Sequence, residues 1–187
     1  PRVDRECCLK PPPLFRAVRR SRSMGNPFVT ILGVGNFLFA DEGFGIRVIE
    51  KLQADYRFPE EVLVVDGGVL GINLLGIVSQ PCHLIVVDAL RNRGNAGDLY
   101  RLAGDDIPRR VLAKNSLHQV DLLEALTLCQ ALDKVPETVI LGVEPEDIET
   151  LKLEMTPVVQ RQVAPMAARV LQELDRLGVT YSRRSCT

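Results

Sequence analysis

A buried strand that leads through a glycine turn into a helix constrains the fold of this chain more than any other feature. Residues 28–34 form a continuous apolar run, and Gly33 and Gly35 lie at its end. Residues 42–56 then show apolar residues on one helical stripe. A strand followed directly by a helix is the repeating unit of α/β folds, so this segment predicts that fold class.

The same alternation continues along the chain. The later predicted strands lie at residues 62–65, 84–87, 98–102 and 138–143, and the later predicted helices at residues 71–79, 117–132 and from 157 to Gly178. The strands are apolar throughout, which indicates a mainly parallel sheet covered on both faces. The loop between the third and fourth strands is too short for a crossover helix, so the fourth strand is predicted to run antiparallel. Thr156 is predicted to cap the last helix, and Pro165 to kink it.

The turn after the first strand carries two adjacent carboxylates, Asp41 and Glu42, where a phosphate-binding loop needs only backbone amides. Leu38 occupies the position of the third glycine of a dinucleotide-binding motif. Asp66 lies 66 − 35 = 31 residues beyond Gly35, whereas a ribose-binding acid is expected at an offset of ~20 residues. The turn therefore favours a cation, and a nucleotide-dependent enzyme of the doubly wound class remains a rival prediction.

Three residues are predicted to form the functional site. In a mainly parallel sheet, ligands bind beyond the carboxyl ends of the strands, where the strand order reverses. Glu42 follows the first strand, Asp88 ends the third, and His118 opens a helix. Two carboxylates and an imidazole would provide a cation site that is open to substrate or water. Metal-free chemistry by paired carboxylates is an alternative, although the side chains of the neighbouring Asp41 and Glu42 tend to diverge.

Composition excludes several classes of protein. The 187 residues carry a net charge of -1, so neither nucleic acid nor a membrane surface is an expected partner. Five scattered cysteines lack metal-binding spacing and predict free thiols in a reducing cytoplasm, with Cys82 and Cys129 in the core. A metal-ligand pair formed by Cys82 and His83 is a weaker alternative.

Residues 1–23 differ in composition from the rest of the chain. They contain three successive prolines and seven basic against two acidic residues, which gives a net charge of +5. We predict a basic leader at residues 1–23, disordered or non-native, followed by a single α/β domain at residues 24–187.

Four motifs resemble, in order and spacing, those of the nickel–iron hydrogenase maturation proteases, the endopeptidases that trim the hydrogenase large subunit. They are Gly33-x-Gly35-Asn36-x-Leu38-x-x-Asp41-Glu42-Gly43-x-Gly45, Asp66-Gly67-Gly68, Val87-Asp88-Ala89 and Ser116-x-His118-Gln119. The likeness extends over residues 28–180.

The resemblance implies a three-layer α/β/α sandwich around a five-stranded, mostly parallel twisted sheet. It also implies that Glu42, Asp88 and His118 hold the catalytic and nickel-contacting positions, with the nickel presented by the substrate and cadmium able to replace it in crystals. The implied activity is that of an aspartic-type endopeptidase, and we expect the protein to be a cytoplasmic monomer. Its partner would be a hydrogenase large-subunit precursor that loses its C-terminal extension after nickel insertion. A nickel-sensing maturation chaperone without proteolysis is the rival at the same site. Asp41 and Asp66 are expected to shape the surrounding loops.

Overall fold

The computed structural model of the chain describes residues 26–68, 74–104, 106–107 and 117–185, except for the side chains of residues 117–121 and 123. The predicted leader at residues 1–23 and the first residues of the predicted helix 71–79 lie outside the described residues. The division into a leader and a domain at residues 24–187 therefore stays a prediction.

The predicted strands and helices occur in the predicted order, but two short strands at residues 56–57 and 182–183 were not predicted, and the helix expected from Glu42 begins at Phe44. The strands are β1 (Val29–Val34), β2 (Tyr56–Arg57), β3 (Val62–Gly68), β4 (His83–Ala89), β5 (Leu99–Ala103), β6 (Glu137–Val143) and β7 (Ser182–Arg183). The helices are α1 (Phe44–Asp55), α2 (Leu74–Val78), α3 (Leu117–Ala131), α4 (Pro157–Gln160) and α5 (Val163–Arg176), and a 3-10 turn at Ala40–Gly43 precedes α1. No described helix is both long and apolar enough to cross a membrane.

Five of the strands form one sheet in the order β3-β1-β4-β6-β5. Strands β3, β1, β4 and β6 are parallel, and β5 runs antiparallel to β6, as the short loop before it predicted. Strands β2 and β7 form a separate antiparallel pair. The chain passes from β1 to β3 on one side and then crosses to β4 on the other. The strand order therefore reverses between β1 and β4, which is where ligands bind in open α/β sheets.

Helices cover both faces of the sheet, and each face has its own apolar core. Helices α1, α4 and α5 pack with Ile31 and Val87 on one face, whereas α2 and α3 pack with Leu32 and Val86 on the other. Neighbouring strand residues point to opposite faces because the strand is pleated. This arrangement confirms the three-layer sandwich, and it explains why the strands are apolar throughout.

The C-terminal helical region differs from the prediction. The helix does not kink at Pro165 but is interrupted at residues 161–162, between α4 and α5. Pro165 lies in the first turn of α5, where its missing N–H removes no intrahelical hydrogen bond. Thr156 occupies the N-cap position of α4, but its side chain makes no capping hydrogen bond. Gly178, with a φ of 70°, lies just beyond the end of α5, as predicted.

The two described cysteines are free thiols. Cys129 is fully buried in α3, as predicted, and packs in the core on that face of the sheet. Cys82 is only partly buried, because it lies in the turn before β4 and not within the strand. The expectation of a core position was therefore wrong for Cys82.

Candidate functional site

The 3-10 turn after β1 carries Glu42 to the carboxyl edge of the sheet. Gly35, with a φ of 137°, turns the chain out of β1, and a Cβ atom there would overlap the carbonyl oxygen of Glu42. A Cβ atom at Gly45 would overlap the carbonyl oxygens of Val34 and Val87. These two glycines therefore allow the turn and the start of α1 to lie directly against the ends of β1 and β4.

Asp88 lies at the same edge of the sheet. It is the penultimate residue of β4, it is buried, and its Oδ1 atom accepts the backbone N–H of Ala89 at 2.8 Å. Strand β4 is the direct neighbour of β1, and the turn that carries Glu42 contacts β4. The fold thus places Glu42 in the turn after β1 and Asp88 near the end of β4, on the two sides of the point where the strand order reverses.

Residue 118 lies in the first turn of α3, and its side chain is outside the described part of the chain. Helix α3 ends at Ala131, and β6 begins at Glu137, 137 − 131 = 6 residues later. Because β6 begins at the amino edge of the parallel strands, the last turn of α3 lies near that edge. The first turn of α3 therefore lies toward the carboxyl edge. Helix α3 covers the face on which Val86 packs, and Asp88 points to that same face because alternate residues of a strand share a face. Among the described side chains, no group of three His, Cys, Asp or Glu residues is placed to hold a metal ion. That finding does not extend to His118, so the convergence of all three residues stays a prediction.

Asp41 is a fully buried structural carboxylate. Its Oδ2 atom accepts the backbone N–H groups of Glu146 and Asp147, both at 2.9 Å. Its Oδ1 atom accepts the N–H of Thr156 at 2.7 Å and the Thr156 hydroxyl at 3.0 Å. The hydroxyl bond to Asp41 explains why Thr156 does not cap α4. Asp41 thus attaches the loop at residues 144–156 to the turn that carries Glu42.

The hydrogen bonds of Asp41 argue against metal-free catalysis by a proton shared between Asp41 and Glu42. Both oxygens of Asp41 accept hydrogen bonds from the loop at residues 144–156, so this carboxylate is not placed to share a proton with Glu42. The expected divergence of the two neighbouring side chains agrees with the burial of Asp41 and the partial exposure of Glu42.

Backbone hydrogen bonds also join the same loop to the turn. Lys152 donates its N–H to the carbonyl oxygen of Leu38 at 2.8 Å, and Ala40 donates to the carbonyl oxygen of Lys152 at 2.7 Å. Ala40 has a φ of 33°, a left-handed conformation that costs a residue with a Cβ atom about 1–2 kcal/mol. Such strain persists only where surrounding contacts hold the backbone in place, and here the loop supplies them.

Glu144 is a buried acid that sequence reasoning missed. Its Oε2 atom accepts the backbone N–H groups of Asn92 and Gly94 at 2.6 and 3.2 Å, and the hydroxyl of Tyr100 at 2.8 Å. Glu144 therefore orders the loop that follows β4, and this loop begins just beyond Asp88. The signal was available, since Glu144 follows an apolar strand much as Asp88 ends one.

Two other candidates from the sequence have structural roles. Asp66 is exposed at the end of β3, where its Oδ1 atom accepts the N–H of Gly68 at 2.9 Å and shapes the turn, as expected. The Nδ1 atom of His83 lies 3.3 Å from Oε2 of Glu137, and this hydrogen bond lowers the pKa of Glu137. His83 begins β4 and Asp88 lies near its end, so a ligand pair at residues 82–83 would be at the opposite edge of the sheet.

The family model HycI, described as hydrogenase maturation protease, matches residues 46–173 of this chain. The chain belongs to the hydrogenase maturation protease family. Asp88 and residue 118 lie inside the matched range, and Glu42 lies 46 − 42 = 4 residues before it. The resemblance read from the four motifs is thereby confirmed.

Individual relatives agree with this assignment. The maturation protease is 38% identical over 159 residues to the hydrogenase expression/formation protein HupD of Bradyrhizobium diazoefficiens, with 84% of this chain and 83% of HupD covered. It is 35% identical over 153 residues to the hydrogenase 2 maturation protease of Escherichia coli, with 81% of this chain and 93% of the relative covered. Its fold is similar to that of the hydrogenase maturating endopeptidase HybD from E. coli, with a TM-score of 0.80 at 33% identity over 83% of this chain and 97% of HybD. The protein is thus a peptidase that acts in hydrogenase maturation.

Proposed function

We propose that this protease removes the C-terminal extension of a nickel–iron hydrogenase large-subunit precursor after nickel insertion. We further propose that it recognises the nickel of the precursor through Glu42, Asp88 and His118. The nickel belongs to the substrate in this proposal. The observation that carries it is the position of the Glu42 turn against β4, beside the buried Asp88, where the strand order reverses.

The residue types suit this role. Carboxylate oxygens and imidazole nitrogens are ligands that divalent nickel accepts. Contact between these side chains and the precursor's nickel would hold the scissile peptide bond at the carboxyl edge of the sheet, which supplies proximity and orientation. Recognition of this kind allows cleavage only after the metal has been inserted.

Hydrolysis also requires a group that takes a proton from the attacking water. The water oxygen adds to the carbonyl carbon, the bond from that carbon to nitrogen breaks, and the departing amine receives a proton. Asp88 and Glu42 are the candidate bases. An endopeptidase in which a carboxylate takes the proton from water is called aspartic-type. Asp41 is not a candidate, because its two oxygens are engaged with the loop at residues 144–156.

The test is cleavage of a nickel-loaded large-subunit precursor, followed by intact mass spectrometry. Glu42→Gln and Asp88→Asn should each lower the processing rate by about a hundredfold or more, the usual range for loss of an acid–base group, and His118→Ala should lower it because the precursor's nickel loses one ligand. Asp66→Asn is the matched control, because its exposed carboxylate lies at the same edge and only shapes a turn. A wild-type rate in any of the first three variants would remove that residue from the role.

Nickel recognition is tested separately with precursor that lacks the metal. We expect the wild-type protease to leave this form uncut. Equal cleavage of both forms would disprove nickel recognition and leave the protease activity intact. A nickel-loaded precursor whose mass never changes, although it binds the protein, would instead favour the non-proteolytic chaperone. The monomeric state and the cytoplasmic location stay predictions.

A further inference from the structure

Four large apolar side chains are exposed beside the candidate site. Phe37 and Leu38 lie in the turn after β1, Leu151 and Leu153 lie in the loop before α4, and their exposed fractions range from 42% to 72%. We call these four residues the apolar rim. Single exposed apolar residues are common on protein surfaces, but a group of them beside a functional site indicates an interaction surface.

The fold holds the two halves of the apolar rim together. The backbone hydrogen bonds of Lys152 to the segment at residues 38–40 join the two halves directly. Asp41 anchors the loop on either side of its tip, at residues 146–147 and at Thr156. A Cβ atom at Gly43 would lie 2.9 Å from the Cα atom of Phe37, so the rim lies against the turn that bears Glu42. The apolar rim and the candidate site are therefore parts of one surface.

Charge around the apolar rim limits what can bind there. Residues 146–154 contain four acidic residues and one lysine, a net charge of -3. Within this segment Glu146, Glu149 and Glu154 are exposed, and Glu149 forms an ion pair with Arg91 at 3.4 Å, which reduces the local net charge to -2. An anionic membrane surface and a second copy of this same acidic surface would both be repelled. The complementary partner is a protein surface with an apolar centre bordered by lysine and arginine.

We infer that the apolar rim docks the folded body of the precursor, through an apolar patch that basic residues surround, and thereby directs the scissile bond toward Glu42 and Asp88. This inference rests on the proposed function, because it takes the large-subunit precursor as the substrate. A protease that selects one bond of a folded protein needs binding energy from contacts outside the reacting group, and the apolar rim supplies such contacts.

The first experiment compares two pairs of leucines. The double variant Leu151→Ser/Leu153→Ser removes half of the apolar rim, and its matched control is Leu128→Ser/Leu132→Ser. The control leucines have exposed fractions of 45% and 55%, and they lie at the end of α3, away from the site. Initial rates of processing are measured over a range of nickel-loaded precursor concentrations, and thermal melts verify the folding of each variant.

We expect the rim variant to raise the KM for the precursor at least about tenfold without changing kcat, because truncation of central apolar anchors weakens docking. The control variant should retain both constants. A KM within twofold of the wild-type value, or an equal rise in the control, would overturn the inference. Failure of the wild-type protein to cleave the precursor would instead overturn the proposed function and the inference with it. If the double variant lowers the Tm, Leu151→Gln alone provides the same comparison at the most exposed rim position.

The second experiment tests the charge of the partner. Glu146→Gln/Glu154→Gln removes two exposed acidic groups at the border of the apolar rim. We expect this variant to raise the KM at low ionic strength and to match the wild-type KM at ~0.5 M salt, where surface charges are screened. A KM equal to that of the wild type at low ionic strength would contradict the basic partner surface.

Discussion

Replacement of Asp41 by asparagine tests whether one buried carboxylate holds the loop at residues 144–156 against the candidate site. Asparagine keeps the shape of the side chain but replaces one acceptor oxygen with an NH2 group, which only donates. If the NH2 group takes the Oδ2 position, the N–H groups of Glu146 and Asp147 lose their acceptor. If it takes the Oδ1 position, the N–H of Thr156 loses its acceptor.

The magnitude follows from these contacts. A buried donor left without an acceptor costs about 1–3 kcal/mol, and the remaining bonds weaken because the acceptor is no longer charged. The less costly orientation leaves one backbone donor unpaired, so we expect the free energy of unfolding to fall by about 2–4 kcal/mol. The loss cannot exceed the free energy needed to detach the loop at residues 144–156, because water would then satisfy the N–H groups of the detached loop. A domain whose free energy of unfolding has the typical value of about 5–15 kcal/mol remains folded after a loss of this size.

Urea denaturation gives the change in the free energy of unfolding, and hydrogen exchange reports on the amides of Glu146, Asp147 and Thr156. The matched control is Asp66→Asn, since that exposed carboxylate accepts one N–H bond at 2.9 Å; its loss should stay below about 1 kcal/mol. A loss below about 1 kcal/mol for Asp41→Asn, with the three amides still protected, would refute the anchoring role. Because the loop carries half of the apolar rim, we also expect a raised KM for the precursor.

Three further substitutions test packing and charge elsewhere in the described structure. Thr30→Val should raise the free energy of unfolding by about 1 kcal/mol, because the buried Thr30 hydroxyl has no hydrogen-bond partner among the described residues; a lower Tm would contradict this. Glu173→Gln should lower the free energy of unfolding by about 1–2 kcal/mol in a urea titration, because Arg101 donates two hydrogen bonds to that buried carboxylate at 2.9 and 3.0 Å and Arg176 a third at 2.6 Å, while the 40% and 58% exposure of the two arginine side chains screens the charges; an unchanged midpoint would show that these ion pairs add nothing. His83→Phe should raise the pKa of Glu137 in an NMR titration, since the hydrogen bond from His83 lowers it. A lowered carboxylate pKa stabilises the fold above the unfolded-state value of ~4.3, and this stability is lost as the pH falls through the folded-state pKa. The variant should therefore lose less stability than the wild type on acidification, and an equal loss would count against the pair.

Local sequence patterns determined the elements and much of their arrangement. Apolar runs and helical stripes are properties of neighbouring residues, so the strand and helix positions followed directly from them. The length of one loop decided that β5 runs antiparallel. The rule that parallel strands present their carboxyl ends at one edge predicted from the sequence that Glu42 and Asp88 lie near each other. The break before Pro165 was missed, because the first turn of a helix tolerates proline and no local signal marked the interruption at residues 161–162.

Only the tertiary structure decided which acidic residues are buried and hold loops in place and which lie exposed at the sheet edge. Asp41 and Glu42 are neighbours in the sequence, yet the fold buries Asp41 against donors 105 to 115 residues away and leaves Glu42 partly exposed at the sheet edge. Glu144 likewise takes its partners from residues 44 to 52 positions distant. The apolar rim joins two segments that lie more than a hundred residues apart. Periodicity reports on contacts within a few residues, whereas burial, long-range hydrogen bonds and surface exposure arise only when distant segments pack together.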